Sequence, residues 1–411
     1  MMIEDPESGY VLPSPSQETG SAPKAFRVAI PDKTLQWIRE RVEAYRWDAL
    51  SEPEDAADWR YGPPLSFMRE LCRYWTNGYD WRAQEKAMNA VPHFMVTLDG
   101  PDLHFVHECG SGIAPRPLLI AHGWPYSFHS YTHLVDCLAH PERHGGRVED
   151  AFSVVIPSYP GYDFSGRPLM PMGPRAVALL FDRLMELLGY DRYVVHGGDW
   201  GAHITSLLGL YRPERVVGIH ALGIALRDAS AEQLTGKVAP DASDEEKAFV
   251  EREVAMWRDQ GAYSAIHATK PAKLSFAMVD SPVGIAVWII EAFHAWSDRG
   301  ERPFDQIFTR DQLLTEVMLY LVTDAFATSI WIYGGKRGEE MTLPAGQRVE
   351  VPTGLSAFPD PVFPMPPREV AEKSHFVVRY STMTRGGHFP FYEVPEVLVE
   401  ELRAFSRLLA K

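Results

Sequence analysis

An aspartate with glycines two places away on either side stands at the centre of the run Val194-Val195-His196-Gly197-Gly198-Asp199-Trp200-Gly201-Ala202-His203. The run reads as strand, sharp turn, helix. That is the geometry of a nucleophile elbow, where glycine lets backbone approach backbone. Elbows of this kind usually present serine. Serine attacking an sp³ carbon would leave an alkyl ether, which resists hydrolysis. Aspartate leaves an ester, which an activated water can cleave. Asp199 therefore points away from acyl transfer and toward transfer of an alkyl group to water. The plain alternative is an aspartate that caps the following helix.

Two other runs supply what such chemistry needs. His122-Gly123-Trp124-Pro125 follows an apolar strand directly. The Trp124 N–H, with that of Trp200 just after the nucleophile, would form an oxyanion hole for water attack on the Asp199 ester. Each such donor is worth about 3 kcal/mol in the transition state. Gly386-Gly387-His388-Phe389-Pro390 lies between the last strand and the last helix. Its glycines let His388 lean over the sheet edge as general base, in the chain order nucleophile, acid, histidine. The plain readings are a strand-to-loop turn and a helix-start histidine. His196 and His203, beside the elbow, read as structural. The acid that orients His388 is expected at Asp360 in Phe358-Pro359-Asp360-Pro361, with Asp228 as the second candidate and a surface turn as the alternative for both.

These residues need a scaffold. Apolar runs at 117–122, 152–157, 193–195 and 216–222 are continuous rather than alternating, which suits a mostly parallel central sheet covered on both faces. Helical patterns such as 175–188 separate them, so the fold class is α/β. Residues 94–98 and 103–107 read as a hairpin turning at Asp99-Gly100. From about 225 the strand signal stops for a hundred residues of helical periodicity, including 245–258 and a long stretch at 311–333. It returns at 349–352 and 376–380, and a last helix is expected at 395–409. The simplest architecture is a helical cap inserted into the sheet. Ahead of it, a helix starts near 30–35 with Asp32 as cap. The segment to about 92 is rich in tryptophan (Trp37, Trp47, Trp59, Trp75, Trp81) and is expected to wrap the rest of the protein. The expected divisions are a mobile tail at 1–24, the helical segment at 25–92, core at 93–225, cap at 226–346 and core again at 347–411.

Composition excludes several classes. The 411 residues carry a formal net charge of −15, which argues against nucleic acid or anionic membrane as a partner. Cys72, Cys109 and Cys137 have neither metal-ligand spacing nor an even count, which suggests a reducing compartment. The acidic N-terminus lacks an apolar core and reads as neither signal nor anchor. A cytoplasmic protein is expected, with no metal or organic cofactor.

Taken in order, these motifs resemble the epoxide hydrolases of the microsomal and juvenile-hormone type, on the α/β-hydrolase fold. The resemblance covers about residues 25–410. It rests on Asp58-Trp59-Arg60-Tyr61-Gly62, Tyr79-Asp80-Trp81-Arg82, the HGWP run, the Asp199 elbow, Asp280-Ser281-Pro282-Val283-Gly284, Val351-Pro352-Thr353-Gly354 and Gly386-Gly387-His388-Phe389. It implies a member without the microsomal membrane anchor. It also implies that Tyr263, in Gly261-Ala262-Tyr263-Ser264, and Tyr333, in Trp331-Ile332-Tyr333-Gly334, give hydrogen bonds to the epoxide oxygen. Ring opening generates an alkoxide, which leaves poorly without a proton donor. Pro125 and Trp331 are expected to line the substrate. One departure stands out: the family places its acid two residues after the Pro of a Phe-Pro pair, and that position here is Pro361.

The expected reaction is epoxide plus water to a vicinal diol through an alkyl-aspartyl ester. A haloalkane-type dehalogenase also uses an Asp elbow followed by Trp, but a departing halide needs N–H donors and no proton. A non-catalytic binding protein on this scaffold is the alternative from another class. The expected partner is a small apolar or aromatic epoxide. A homodimer, the particular epoxide, its regiochemistry and the pathway are left open.

Overall fold

The computed structural model describes residues 22–51, 59–228, 238, 240, 242–344 and 346–409. Residues 1–21 of the expected tail, and Asp58 of the first tryptophan motif, lie outside them.

Eleven strands are described: β1 Lys24–Phe26, β2 His93–Thr97, β3 Asp102–Glu108, β4 Arg116–Ala121, β5 Phe152–Pro157, β6 Tyr193–Gly197, β7 Val216–Ala221, β8 Arg227–Asp228, β9 Thr342–Leu343, β10 Val349–Ala357 and β11 His375–Thr382. Nine form one sheet in the order β1-β2-β3-β5-β4-β6-β7-β10-β11. β1, β2, β3 and β5 pair antiparallel, and from β5 to β11 every pairing is parallel. The parallel strands explain the continuous apolar runs: every residue of β5 and β6 is buried, because helices cover both faces. This is the α/β-hydrolase fold. The chain crosses the sheet so that the segments after β4, β6, β10 and β11 all leave at carboxyl ends of parallel strands, where open α/β sheets build their sites.

Several elements differ from the sequence expectation. Ahead of the first helix the expected helical segment begins with a short strand, β1, whose first residue is Lys24. Asp32 is the first helical residue of Asp32–Glu43, and Pro31, with no side chain able to accept, occupies the cap position. The long helix expected at 311–333 is three: Arg310–Val322, Phe326–Ser329 and Trp331–Lys336. Asp324 breaks it, with φ +53°, and the chain turns by 94° there. Neither glycine nor proline marks that break, so apolar periodicity runs straight through it. β8 and β9 pair with each other across the base of the cap; two residues are too short to leave an alternating pattern.

The cap's helices run from Asp244–Gln260 to Trp331–Lys336. The N-terminal segment grips this cap. Tyr74 donates to Asp311 at 2.7 Å, the Trp75 indole points at the Met318 sulfur at 3.3 Å, and Trp59 stacks on His294 at 3.7 Å. Among the described residues, no single helix is long and apolar enough to cross a membrane.

One buried carboxylate ties cap to core. Glu316, on Arg310–Val322, accepts from Ser127 at 2.8 Å, Ser130 at 2.7 Å and Tyr392 at 2.7 Å. The serines follow the HGWP run and Tyr392 follows the His388 run, so the two loops expected to carry the chemistry hang on one cap side chain. Burial raises its pKa, against the pull of those hydroxyls. Glu316→Leu would strand three buried hydroxyls, each costing about 1–3 kcal/mol. A stability loss of about 3 kcal/mol or more in urea unfolding is expected, and a smaller one for Glu316→Gln, which keeps an acceptor.

Candidate active site

Asp199 follows β6 at φ +51°, ψ −122°, a backbone conformation that costs a non-glycine residue of order 1–3 kcal/mol. The neighbouring glycines permit it. A Cβ on Gly197 would come 2.6 Å from the Gly201 backbone, and one on Gly201 would run into the Ala121 carbonyl oxygen. The Asp199 side chain makes no capping bond to its own helix. It turns toward β4 instead, where Oδ1 accepts the Trp124 backbone N–H at 2.9 Å. Gly123 makes that approach possible, because a Cβ there would sit 2.5 Å from Oδ1. Trp200 opens the helix Trp200–Tyr211, whose first N–H groups have no intrahelical acceptor. Trp124 and Trp200 thus flank the carboxylate. Pro125, joined to Trp124 by a cis peptide bond, is buried beneath.

His388 stands between two carboxylates. Nδ1 is 2.7 Å from Asp360 Oδ2, and Nε2 is 3.7 Å from Asp199 Oδ2. Burial disfavours its cation, but the charge of Asp360 and the nearness of Asp199 outweigh burial and raise the pKa to about 10. Of the two candidate acids, Asp360 is the one bonded to His388. Its Oδ1 accepts the N–H groups of Val362 and Phe363, each at 2.8 Å. That tight turn presents Oδ2 to the histidine from one residue earlier than the family's spacing. Asp228 is the second residue of β8, its backbone paired with Leu343 of β9.

The cap brings Tyr263 and Tyr333 over this centre. Tyr263 stacks on Trp124 at 5.4 Å and 11°. Tyr333 meets Trp200 edge-on at 4.6 Å and Trp124 at 6.3 Å. Burial above all, with the charge of Asp199 adding to it (for Tyr333, after the effect of Tyr263), holds both phenols in the protonated, donating form. The Tyr333 hydroxyl is buried without a partner, as are His388 Nε2 and the Trp124 and Trp200 indole nitrogens. Unpaired buried polar atoms are rare and costly; of these, His388 Nε2 faces Asp199 at 3.7 Å. Trp331 is half-buried two residues before Tyr333, and residues at that spacing on a helix do not share a face.

Other side chains at the site escaped the sequence reading. His267 packs on the rings of Trp124, Tyr333 and Tyr263, and its Nε2 accepts the Trp288 indole N–H at 3.1 Å. An indole only donates, so neutral His267 carries its proton on Nδ1. Its position four residues after Tyr263, on the same helical face, was the available signal. His203, read as structural, lies one step from the elbow: Nδ1 is 3.3 Å from the Asp199 carbonyl and Nε2 is 2.8 Å from the Lys336 amine. Burial lowers that amine to about 8. His196 pairs with His220 at 2.9 Å below the sheet end. Among the described residues, no three His, Cys, Asp or Glu side chains are grouped to hold a metal.

The family described as "Epoxide hydrolase N terminus" matches residues 23–131, and "alpha/beta hydrolase fold" matches residues 116–334. Epoxide hydrolase 1 of Sus scrofa is 33% identical over 94% of the chain and 89% of its own length. The solved Aspergillus niger epoxide hydrolase superposes with TM-score 0.81 at 28% identity, covering 96% of this chain and 98% of that one. Juvenile hormone epoxide hydrolase from the silkworm Bombyx mori gives TM-score 0.81 at 25% identity, covering 95% and 96%.

Proposed function

The chain belongs to the epoxide hydrolase family on the α/β-hydrolase fold, and we propose that it converts epoxide and water to a vicinal diol through an alkyl ester on Asp199. The observation that carries this mechanism is His388 held 2.7 Å from Asp360 and facing Asp199 at 3.7 Å. A contact of 3.7 Å is beyond hydrogen-bond range, so the base works on a water and not on the nucleophile itself.

In the resting site Asp199 is the carboxylate and His388 the imidazolium. Asp199 attacks one oxirane carbon. The C–O bond breaks, and Tyr263 and Tyr333 supply the proton that makes the new hydroxyl. The imidazolium replaces that proton, which leaves a neutral base. Esterification has also removed the Asp199 charge that favoured the cation. His388 then takes a proton from water, hydroxide attacks the ester carbonyl, and the oxyanion rests on the Trp124 and Trp200 N–H groups. The product alkoxide leaves with a proton from His388, and the acid form of Asp199 returns one to it. Proton and charge balance over the cycle without an added cofactor.

The unpaired Tyr333 hydroxyl favours an oxygen leaving group over a halide. Tyr333→Phe is expected to slow ester formation about 10- to 100-fold, with ester hydrolysis little changed, and the double Tyr263→Phe, Tyr333→Phe variant to lose about 10³-fold or more. Diol assays on an epoxide panel and halide release from a haloalkane panel test the assignment together. Halide release without diol from any epoxide would defeat it. We further propose an apolar or aromatic oxide as substrate, from the aromatic walls formed by Trp124, Tyr263, Tyr333 and Trp296.

A further inference from the structure

The loop that carries His388 is pressed against the inner end of the cap helix Pro282–Trp296. Gly387 allows the contact, since a Cβ there would strike the Ser297-Asp298 peptide. Along this seam the His388 N–H donates to the Trp296 carbonyl at 2.9 Å, and the Gly386 N–H donates to the Asp298 carboxylate at 3.0 Å. The Trp296 ring packs on the imidazole at 5.0 Å.

Glu393 closes the seam. It lies in the short helix Pro390–Glu393, just after the base loop. One oxygen accepts the N–H of Phe389, the residue after His388, at 3.0 Å, and the other accepts the N–H of Asp298 at 2.8 Å. A carboxylate accepts at both oxygens and has no proton to set against an amide, so one side chain joins loop to cap. Burial pushes its pKa up to about 7, against the pull of those amides.

We propose that Glu393 is a positioning residue for water activation, setting His388 relative to Asp199 by fastening the base loop to the end of the cap helix. The proposal rests on the two-step covalent mechanism above. Among the described residues neither Asp199 nor Tyr333 hydrogen-bonds to Glu393 or Asp298, and Tyr263 meets the seam only through the Trp296 ring at 5.2 Å. His388, which serves hydrolysis, is held by the seam. A displacement of about 1 Å at a reacting group costs on the order of 10²-fold, so loosening the seam should slow the second step selectively.

The test is Glu393→Gln in the full chain, with styrene oxide in rapid-quench single turnovers that follow ester formation and ester decay separately. Glutamine keeps the volume but turns an NH₂ toward one of the two amides. Ester formation within about threefold of wild type, decay slower by about tenfold or more, and ester accumulating at steady state are expected. Equal losses in both steps, or unchanged decay, would overturn the proposal. Should Glu393→Gln not fold, Asp298→Ala removes the acceptor for Gly386. Decay slowed about three- to tenfold with ester formation spared is then expected, and parallel or no losses overturn the proposal. A wild-type enzyme that forms no ester would count against the covalent mechanism, a result separate from either.

Discussion

Asp199→Ala is expected to abolish diol formation, with kcat lowered by at least about 10⁴-fold and the fold retained. Removing the nucleophile of a covalent enzyme costs on the order of 10⁶-fold, and two other carboxylates beside the site are already engaged. Asp360 is committed to His388 and to the amides of Val362 and Phe363. Glu316 is held by three hydroxyls at the cap seam. The phenols polarise an epoxide without attacking it. The side chain of Asp199 contributes no helix cap, so thermal unfolding should move little. Steady-state diol assays with circular dichroism check both parts. Activity within tenfold of wild type would mean that the oxirane is opened by some other group.

His388→Gln is expected to divide the reaction at its midpoint. Ester formation needs Asp199 and the two phenols; in the variant, solvent restores the proton that the imidazolium supplies in the wild type. Hydrolysis needs a base, and a positioned base contributes about 10²–10⁴-fold. Turnover should fall about 10³-fold, while one equivalent of epoxide is retained as an adduct on the Asp199 peptide, seen as a mass increase equal to the substrate. Loss of turnover with no adduct would place His388 in the first step instead.

Asp199, His122-Gly123-Trp124 and Gly386-Gly387-His388 could be read from the sequence because their geometry is local: a glycine beside a chemical residue signals a close backbone approach within a few positions. Asp360 was legible as the first candidate, ahead of Asp228, but its fit one residue early was not. Its selection depends on how the loop turns through Val362 and Phe363, which no spacing rule records. Tyr263 and Tyr333 would pass for core aromatics by pattern alone, and only their resemblance to a known family singled them out; the structure sets their rings against Trp124 and Trp200. The break at Asp324 was invisible because it interrupts neither apolar periodicity nor composition. Glu316, Glu393 and Lys336 were missed for another reason. Their bonds reach Ser127, Asp298 and His203, close to a hundred residues or more away in sequence, and long-range pairing of polar groups has no periodic signature.

The measurement closest to the central claim is one turnover in ¹⁸O-water with enzyme in excess. If water attacks the Asp199 ester, the diol formed carries unlabelled oxygen from the carboxylate, and the Asp199 peptide gains 2 mass units, about one ¹⁸O for ¹⁶O. A labelled diol released from an unlabelled Asp199 peptide would mean that water attacked the epoxide directly, and the covalent account would be wrong.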